Sequence, residues 1–342
     1  MQKLSDNLAS LFDTAKELEQ AMETSGLEAV EGRRFLLRML AASVEGFVEN
    51  TDVDRPVFMH AESPWRKMFG DCPDTDYLNA PIDTTGGRVY RLSGRIPPGT
   101  LYMGILLYGR GGRIGSRLTD SDIEIDDDGN FEVLISTERQ GGDWLQADGD
   151  ETLLMVRQYY ADRAAEPPVE LAVEYLGDKQ PPAPLDADTF ARQVSMAERM
   201  LKAVFQRTLA AHQMAGNVGP NIVIRIPEDS LFPTPDNIYR VARYQLKEGQ
   251  RLALKGKLPS ARYFSVTLYN RWLESYDYLR HRISLNHAQI ECGADGSFEI
   301  TIADEAAVRV NQLDAAGHLE GYVVIRALLL DGEMPEFELI AQ

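Results

Sequence analysis

Residues 70–94 read GDCPDTDYLNAPIDTTGGRVYRLSG, and residues 235–256 read PDNIYRVARYQLKEGQRLALKG. Pro73, Asp74, Tyr77, Ala80 and Gly94 recur as Pro235, Asp236, Tyr239, Ala242 and Gly256, all displaced by 162 positions. Identities at one displacement, a Pro-Asp pair and a Gly among them, mark an internal repeat, and a repeat dictates architecture before any local pattern is weighed. The correspondence extends both ways. Arg38-Met39-Leu40 returns as Arg199-Met200-Leu201, and Pro97, Tyr102 and Tyr108 return as Pro259, Tyr263 and Tyr269. Asp128-Gly129-Asn130-Phe131-Glu132 matches Asp295-Gly296-Ser297-Phe298-Glu299, and Leu145 and Arg157 match Leu313 and Arg326. The displacement drifts from 161 to 169, as short insertions in surface loops produce.

The chain therefore reads as two copies of a helix-then-strands unit. Its 342 residues suit two domains of about 100–200 residues each. The first copy spans residues 1–180. Leu8, Leu11, Phe12, Ala15 and Leu18 fall at helical spacing, Ser5 is placed to cap the first turn, and Gly26 interrupts. Phe35, Leu36, Met39, Leu40, Val44 and Phe47 then mark a second helical face, so helices are expected over residues 5–49. A β-sandwich is expected over residues 70–177. Its candidate strands are 89–92, 101–108, 123–125, 131–135, 153–156 and 169–175, separated by Gly and Pro turn signals. Residues 179–184, KQPPAP, form a stiff boundary. The second copy, residues 181–342, repeats the order, with a helix over 186–215 and a sandwich over 233–342. Its strands are expected near 251–254, 263–269, 290, 298–302, 322–330 and 337–340. The predicted class is α+β, mainly β: two homologous halves, each an N-terminal helical part followed by an antiparallel, jelly-roll-like sandwich.

Charge narrows the partners. The 53 acidic against 35 basic residues give a net charge of −18, the opposite of the basic stripe that nucleic acid requires. Cys72 and Cys292 are not equivalent in the repeat, so neither a disulfide framework nor a zinc knuckle is expected. The N-terminal stretch lacks the apolar core of a signal peptide, and no apolar run approaches the ~20 residues of a membrane helix. The expectation is a cytoplasmic protein with a small-molecule ligand, no nucleic-acid or membrane partner and no cofactor; a homodimer is left open.

Several stretches bear on chemistry. The Asp71–Asp74–Tyr77 group could divide a proton-transfer task, although Pro-Asp-x-x-Tyr in both copies equally suits a turn in which Asp accepts backbone N–H bonds. The acidic run Asp120, Asp122, Glu124, Asp126, Asp127, Asp128 lacks the offsets of a calcium loop and reads as a solvated face. Residues 109–115, GRGGRIG, match neither phosphate-loop pattern. Arg110, Arg113 and Arg117 nevertheless offer an anion three guanidiniums. In the second copy, residues 270–287 read NRWLESYDYLRHRISLNH. Trp272 and Tyr276 are candidate ligand walls, Arg282 a candidate anion contact, and His281 a candidate proton carrier near neutral pH. The same aromatics would equally seal one end of a core. Arg157 and Arg326, each inside an apolar strand, call for buried partners.

The combination of Gly70-Asp71-Cys72-Pro73-Asp74 with Tyr77 and Ala80-Pro81-Ile82, Tyr90-Arg91-Leu92-Ser93-Gly94, Asp143-Trp144-Leu145 and Tyr263 through Tyr269 resembles the bacterial family known as domain of unknown function 1214. Arg282-Ile283-Ser284 and the two Asp-Gly hairpins are similar to the same pattern. The resemblance implies a β-sandwich fold. It brings no established reaction, cofactor or catalytic residue.

Together these observations lead to two expectations. One is a cytoplasmic enzyme of hydrolase, lyase or isomerase type acting on a small, partly apolar, anionic molecule. Its catalytic candidates are His281, Asp74 and Tyr77, and its binding candidates are Arg113, Arg117, Trp144, Trp272, Tyr276 and Arg282. The other is a non-catalytic sandwich that binds carbohydrate or protein. A concave pocket with a perturbed titratable group marks the first; a flat exposed aromatic patch marks the second.

Overall fold

The computed structural model describes residues 2–22, 25–68, 70–226 and 234–342, with side chains from Leu8 onward. Helix α1 (Gln2–Gln20) is followed by α2 (Gly26–Val44), which runs into a π turn at Glu45–Glu49. Ser5 lies within α1, three residues after its first residue. The first run of strands is β1 (Met59–His60), β2 (Thr75–Pro81), β3 (Tyr90–Arg95), β4 (Tyr102–Gly109), β5 (Ile114–Thr119), β6 (Asn130–Ser136), β7 (Trp144–Gln146), β8 (Glu151–Tyr159) and β9 (Glu170–Tyr175). Helix α3 (Ala187–Gly216) intervenes. The second run is β10 (Ile224–Arg225), β11 (Asn237–Gln245), β12 (Arg251–Lys257), β13 (Ala261–Tyr269), β14 (Ser284–Asn286), β15 (Ser297–Ala303), β16 (Gln312–Asp314), β17 (Glu320–Leu330) and β18 (Glu338–Ala341).

The two runs build the same pair of sheets. The first gives β1-β2-β8-β4-β5 and β7-β6-β3-β9; the second gives β10-β11-β17-β13-β14 and β16-β15-β12-β18. Register follows suit. Tyr77 pairs with Arg157 and Tyr239 with Arg326, while Gly94 pairs with Phe131 and Gly256 with Phe298. The α+β class and the duplicated halves are thus borne out. One detail differs: β6 with β7 and β15 with β16 run parallel, in sheets otherwise antiparallel.

Alternation explains why these segments are strands. Phe131, Val133 and Ile135 of β6 point inward with Asn130 and Glu132 outward, and Phe298, Ile300 and Ile302 do the same in β15. They meet Met103, Ile105, Leu107, Leu154 and Val156 of the facing sheet in the first core. In the second core the opposing side chains are Phe264, Val266, Leu268, Val323 and Ile325. The repeated glycine has a packing cause. A Cβ on Gly94 would sit 1.9 Å from the Glu170 carbonyl oxygen, and one on Gly256 2.3 Å from the Phe337 ring.

Two local expectations fail. Residues 123–125 are not a strand: Asp122 accepts from the Thr119 N–H at 2.8 Å and Asp126 from that of Asn130 at 2.8 Å, folding the acidic run into turns. The strand expected near 290 lies at Ser284–Asn286.

The chain forms two compact units. The first comprises residues up to Glu17, Met39–Ser63 and Asp74–Lys202; the second comprises Leu18–Arg38, Pro64–Pro73 and Ala203–Gln342. Each unit contains one sandwich, and the second also takes two segments that precede residue 180. No helix among the described residues is long and apolar enough to cross a membrane.

Candidate functional site

The expected site residues divide between the units. In the first, the Asp74 carbonyl accepts from the Tyr160 N–H at 2.8 Å, and Tyr77 is buried in β2. Arg113 is engaged by Asp148 at 2.9 Å and by Asp150. Arg117 occupies an exposed position of β5, and Trp144 donates to Ser136 Oγ at 3.0 Å beneath the Arg139 guanidinium. Asp71 belongs to the second unit and Asp74 to the first.

In the second unit, Trp272 and Tyr276 face the interior. Trp272 stacks on Phe35 and Phe205, with centroids 5.6 and 6.2 Å away, and donates Nε1–H to the Glu28 carbonyl at 3.0 Å. Tyr276 stacks on His318 at 3.9 Å and shares a 2.6 Å hydrogen bond with the Tyr244 hydroxyl. His281 and Arg282 lie together nearer the surface. His281 Nδ1 is 2.8 Å from Asp314 Oδ2, and the Arg282 carbonyl accepts from the Asp314 N–H at 2.9 Å. Arg282 also donates to the Arg309 carbonyl at 2.8 Å.

A sealed polar clasp underlies the 270–276 turn. Lys67 donates to the carbonyls of Ser275 and Tyr276 at 2.7 and 2.5 Å. Asp71 accepts from Ser275 N–H at 2.9 Å and Oγ–H at 2.6 Å. Gly70 N–H reaches the Leu273 carbonyl at 2.9 Å, and the Tyr269 hydroxyl donates to the Asp71 carbonyl at 2.5 Å. Burial pushes the Asp71 carboxyl up and the Lys67 ammonium down from their ordinary values. Asp71 and Lys67 are only 3% exposed, so this clasp holds segment 64–73 in place and offers nothing to a solute.

A second polar group, over the outer face of the β11–β17–β13 sheet, is partly exposed. Arg243 of β11 lies directly across from Tyr322 of β17, which in turn pairs with Tyr269 at the end of β13. Glu320 stands two residues before Tyr322 and so shares its face. Arg271 follows in the turn after β13, α3 contributes His212, and the first turn of α2 contributes Glu28. Arg271 Nη1 is 3.2 Å from Glu28 Oε2, and Arg243 Nη1 is 3.4 Å from Glu320 Oε2. His212 Nδ1 and the Tyr322 hydroxyl are hydrogen-bonded. Side-chain exposures of 23% for Arg271 and 22% for Arg243 leave the two guanidiniums partly exposed, whereas Tyr322 is buried. Ala215, Val241, Tyr269 and Val324 pack around Tyr322 in a buried apolar cluster.

The electrostatics of this group are unusual. Burial, with the Arg271 and Arg243 charges, holds His212 at about 4, so it is neutral at physiological pH. Burial raises Tyr322 far enough that its hydroxyl keeps its proton. Burial and a hydrogen bond from the facing Glu320 carboxyl raise Glu28 as well; two carboxyls in contact favour sharing a proton. The group therefore combines a neutral imidazole, a protonated phenol, paired carboxyls and two guanidiniums.

Sequence reasoning missed His212, Tyr322, Arg243, Glu28 and Glu320. Arg271 lies in the stretch singled out above, but nothing in spacing linked it to the others. Among the described residues no three or more His, Cys, Asp or Glu come together as a metal-binding group. A concavity of about 450 Å³ on α3, lined by Asp188, Ala191, Arg192, Ser195, Met196 and Arg199, contains none of the expected site residues.

Comparison with solved structures agrees with the fold. An uncharacterised protein of Burkholderia cenocepacia superposes with a TM-score of 0.91 at 25% identity, covering 100% of this chain and 96% of that one. The VPA0106 protein of Vibrio parahaemolyticus superposes with a TM-score of 0.53 at 13% identity, covering 90% and 97%. No curated protein matches the chain. The resemblance read from the sequence is borne out by a family model: residues 240–329 match the family described as "Protein of unknown function (DUF1214)".

Proposed function

We propose that the second unit performs acid–base chemistry on a small, partly apolar anion, as a cytoplasmic enzyme. The observation that supports this reading most is the neutral His212 hydrogen-bonded to Tyr322 beside two partly exposed guanidiniums. A neutral imidazole takes a proton, a protonated phenol gives one, and arginines hold the charge of the substrate. The free state of both Cys72 and Cys292 fits a reducing compartment.

The test is turnover in a defined mixture of small carboxylic and phosphoric acids, followed by time-resolved NMR. At least one component should be converted by the wild type, with conversion falling roughly 100-fold or more in His212→Gln while the melting temperature is kept. An unchanged mixture, or full conversion by His212→Gln, would reject the assignment. A second reading rests on His281, whose imidazole is half-exposed and held by the largely buried Asp314, as a general base is oriented by a carboxylate. His281→Ala in the same assay separates the two: loss of turnover there, with His212→Gln active, moves the chemistry to His281.

A further inference from the structure

Among the contacts that seat α2 on the second sandwich, one depends on a proton. His318 stands in the turn between β16 and β17, and its side chain is 9% exposed. Its Nδ1 lies 2.9 Å from the Ala315 carbonyl oxygen, and its Nε2 lies 3.0 Å from Glu31 Oε2 on α2. A carbonyl only accepts, so Nδ1 carries a hydrogen. Burial opposes the Glu31 charge, but the bond and charge of His318, the Arg34 charge and the Asn270 amide outweigh it and hold the carboxyl below its ordinary value. Ionised Glu31 also only accepts, so Nε2 carries a second hydrogen. The seated ring is therefore an imidazolium, stacked on Tyr276 with centroids 3.9 Å apart.

Loss of one proton reverses the contact. A ring that keeps Nδ1–H on Ala315 meets Glu31 with a lone pair, and the Glu31 side chain, 8% exposed, has little water to turn to. The surrounding groups can each be named. Arg34 of α2 holds Glu31 Oε1 at 2.9 Å. Asn270 donates to Glu31 Oε2 at 3.2 Å and links it to Glu274, whose carboxyl is raised by burial against the opposing charge of Arg38. Burial keeps the Tyr276 and Tyr244 hydroxyls protonated. Asp304 accepts from the Gly317 N–H at 2.7 Å, Glu320 stands two residues beyond His318, and Glu28 faces Glu320 from α2.

We propose that His318 and Glu31 form a proton-operated latch: residues 26–38 of α2 stay seated on the second sandwich while the ring holds both protons, and loosen when it gives one up. The contribution of the imidazolium is present at low pH and is lost as pH rises. At the acid end the latch fails only when Glu31 takes a proton, below its ordinary 4.5. Loosening uncovers Trp272, which stacks between Phe35 of α2 and Phe205 and donates to the Glu28 carbonyl. The latch is independent of the chemistry proposed for His212.

Trp272 reports the latch in the full chain carrying Trp65→Phe and Trp144→Phe. Between about pH 5.5 and about 9, a span that brackets ordinary histidine titration, its emission should move to the red and its quenching by acrylamide should rise. Amide hydrogen exchange in residues 26–38, corrected for its intrinsic pH dependence, should quicken roughly tenfold or more, because a buried pair that loses one charge is strongly weakened. Both changes should run in step with loss of the imidazolium 15N signals of His318. Glu31→Gln should remove the response, since its amide N–H suits a ring with one proton. If Glu31→Gln fails to fold by circular dichroism, His318→Gln serves in its place and should likewise abolish the response. A pH-independent Trp272 in the otherwise native chain, a neutral His318 tautomer while α2 is seated, or the full response persisting in the variant overturns the proposal; the last outcome moves the titrating group to Glu274.

Discussion

His212 shows how far a single residue's chemistry is set by what the fold brings to it. On α3 it is a lone histidine with no motif around it. Arg243, Arg271 and Tyr322 reach it from separate elements, and only then does its proton affinity fall to about 4. The consequence for stability has a definite sign. The folded-state value lies below the ordinary 6.5 of an unfolded histidine, so the unfolded chain binds the proton more readily. The contribution of His212 is fully present above about pH 6.5 and is lost as pH falls towards about 4. The charged groups facing it are Arg271, Arg243 and Glu320, with Tyr322 as hydrogen-bond partner. His212→Gln should flatten the decline of the melting temperature between pH 6.5 and 4 while leaving the slope above pH 7 unchanged. An identical pH profile in wild type and variant would contradict this. The same limit governed the aromatics: composition flagged Trp272 and Tyr276, but whether an aromatic lines a ligand or a core depends on neighbours such as Phe35, Phe205 and Tyr244, which lie far away in sequence.

At the level of elements, the sequence was legible where one physical pattern dominates. Alternation located β6 and β15, and the Asp-Gly pairs at 128–129 and 295–296 located the turns before them. Gly94 and Gly256 recur because the Glu170 carbonyl and the Phe337 ring leave no room for a Cβ. It was illegible where side chains redirect the backbone: Asp122 and Asp126 capture N–H groups that a strand over residues 123–125 would have used in its ladder. The 64–73 segment is a further case. Its motif Gly70-Asp71-Cys72-Pro73-Asp74 looked like a carboxylate pair, yet Asp71 is committed to Ser275, with Lys67 bonded to the adjoining carbonyls. Asp71→Ala leaves the Lys67 ammonium buried without its nearby countercharge and the Ser275 donors unmet, and should destabilise by about 3–5 kcal/mol. Asp71→Asn, which keeps an acceptor for Ser275, should lose distinctly less. Urea unfolding of both variants provides the comparison, and equal losses would show that the carboxylate itself is unimportant to the clasp.

At the scale of the whole molecule, duplication was readable from recurrent residues, whereas the composition of the compact units was not. A cut near residue 180 follows the repeat and the proline-rich connection. The second unit nevertheless takes Leu18–Arg38 and Pro64–Pro73 from before that cut. Phe35 stacks on Trp272, Glu31 bonds His318 at 3.0 Å, and Arg38 bonds the buried Glu274 at 2.7 Å. No local periodicity announces such contacts, because they join residues more than 200 positions apart. A fragment of residues 181–342 would contain every strand of the second sandwich but would expose Trp272 and leave Glu274 and His318 without these partners. Buried charge stripped of its partner and a large apolar face opened to water both oppose folding. The fragment alone should therefore show no cooperative thermal transition and should bind a hydrophobic dye, while co-expression with residues 1–180 should restore a transition near that of the intact chain. A fragment that melts cooperatively within a few degrees of the full-length protein would mean that the sequence repeat, and not the observed unit, is the folding unit.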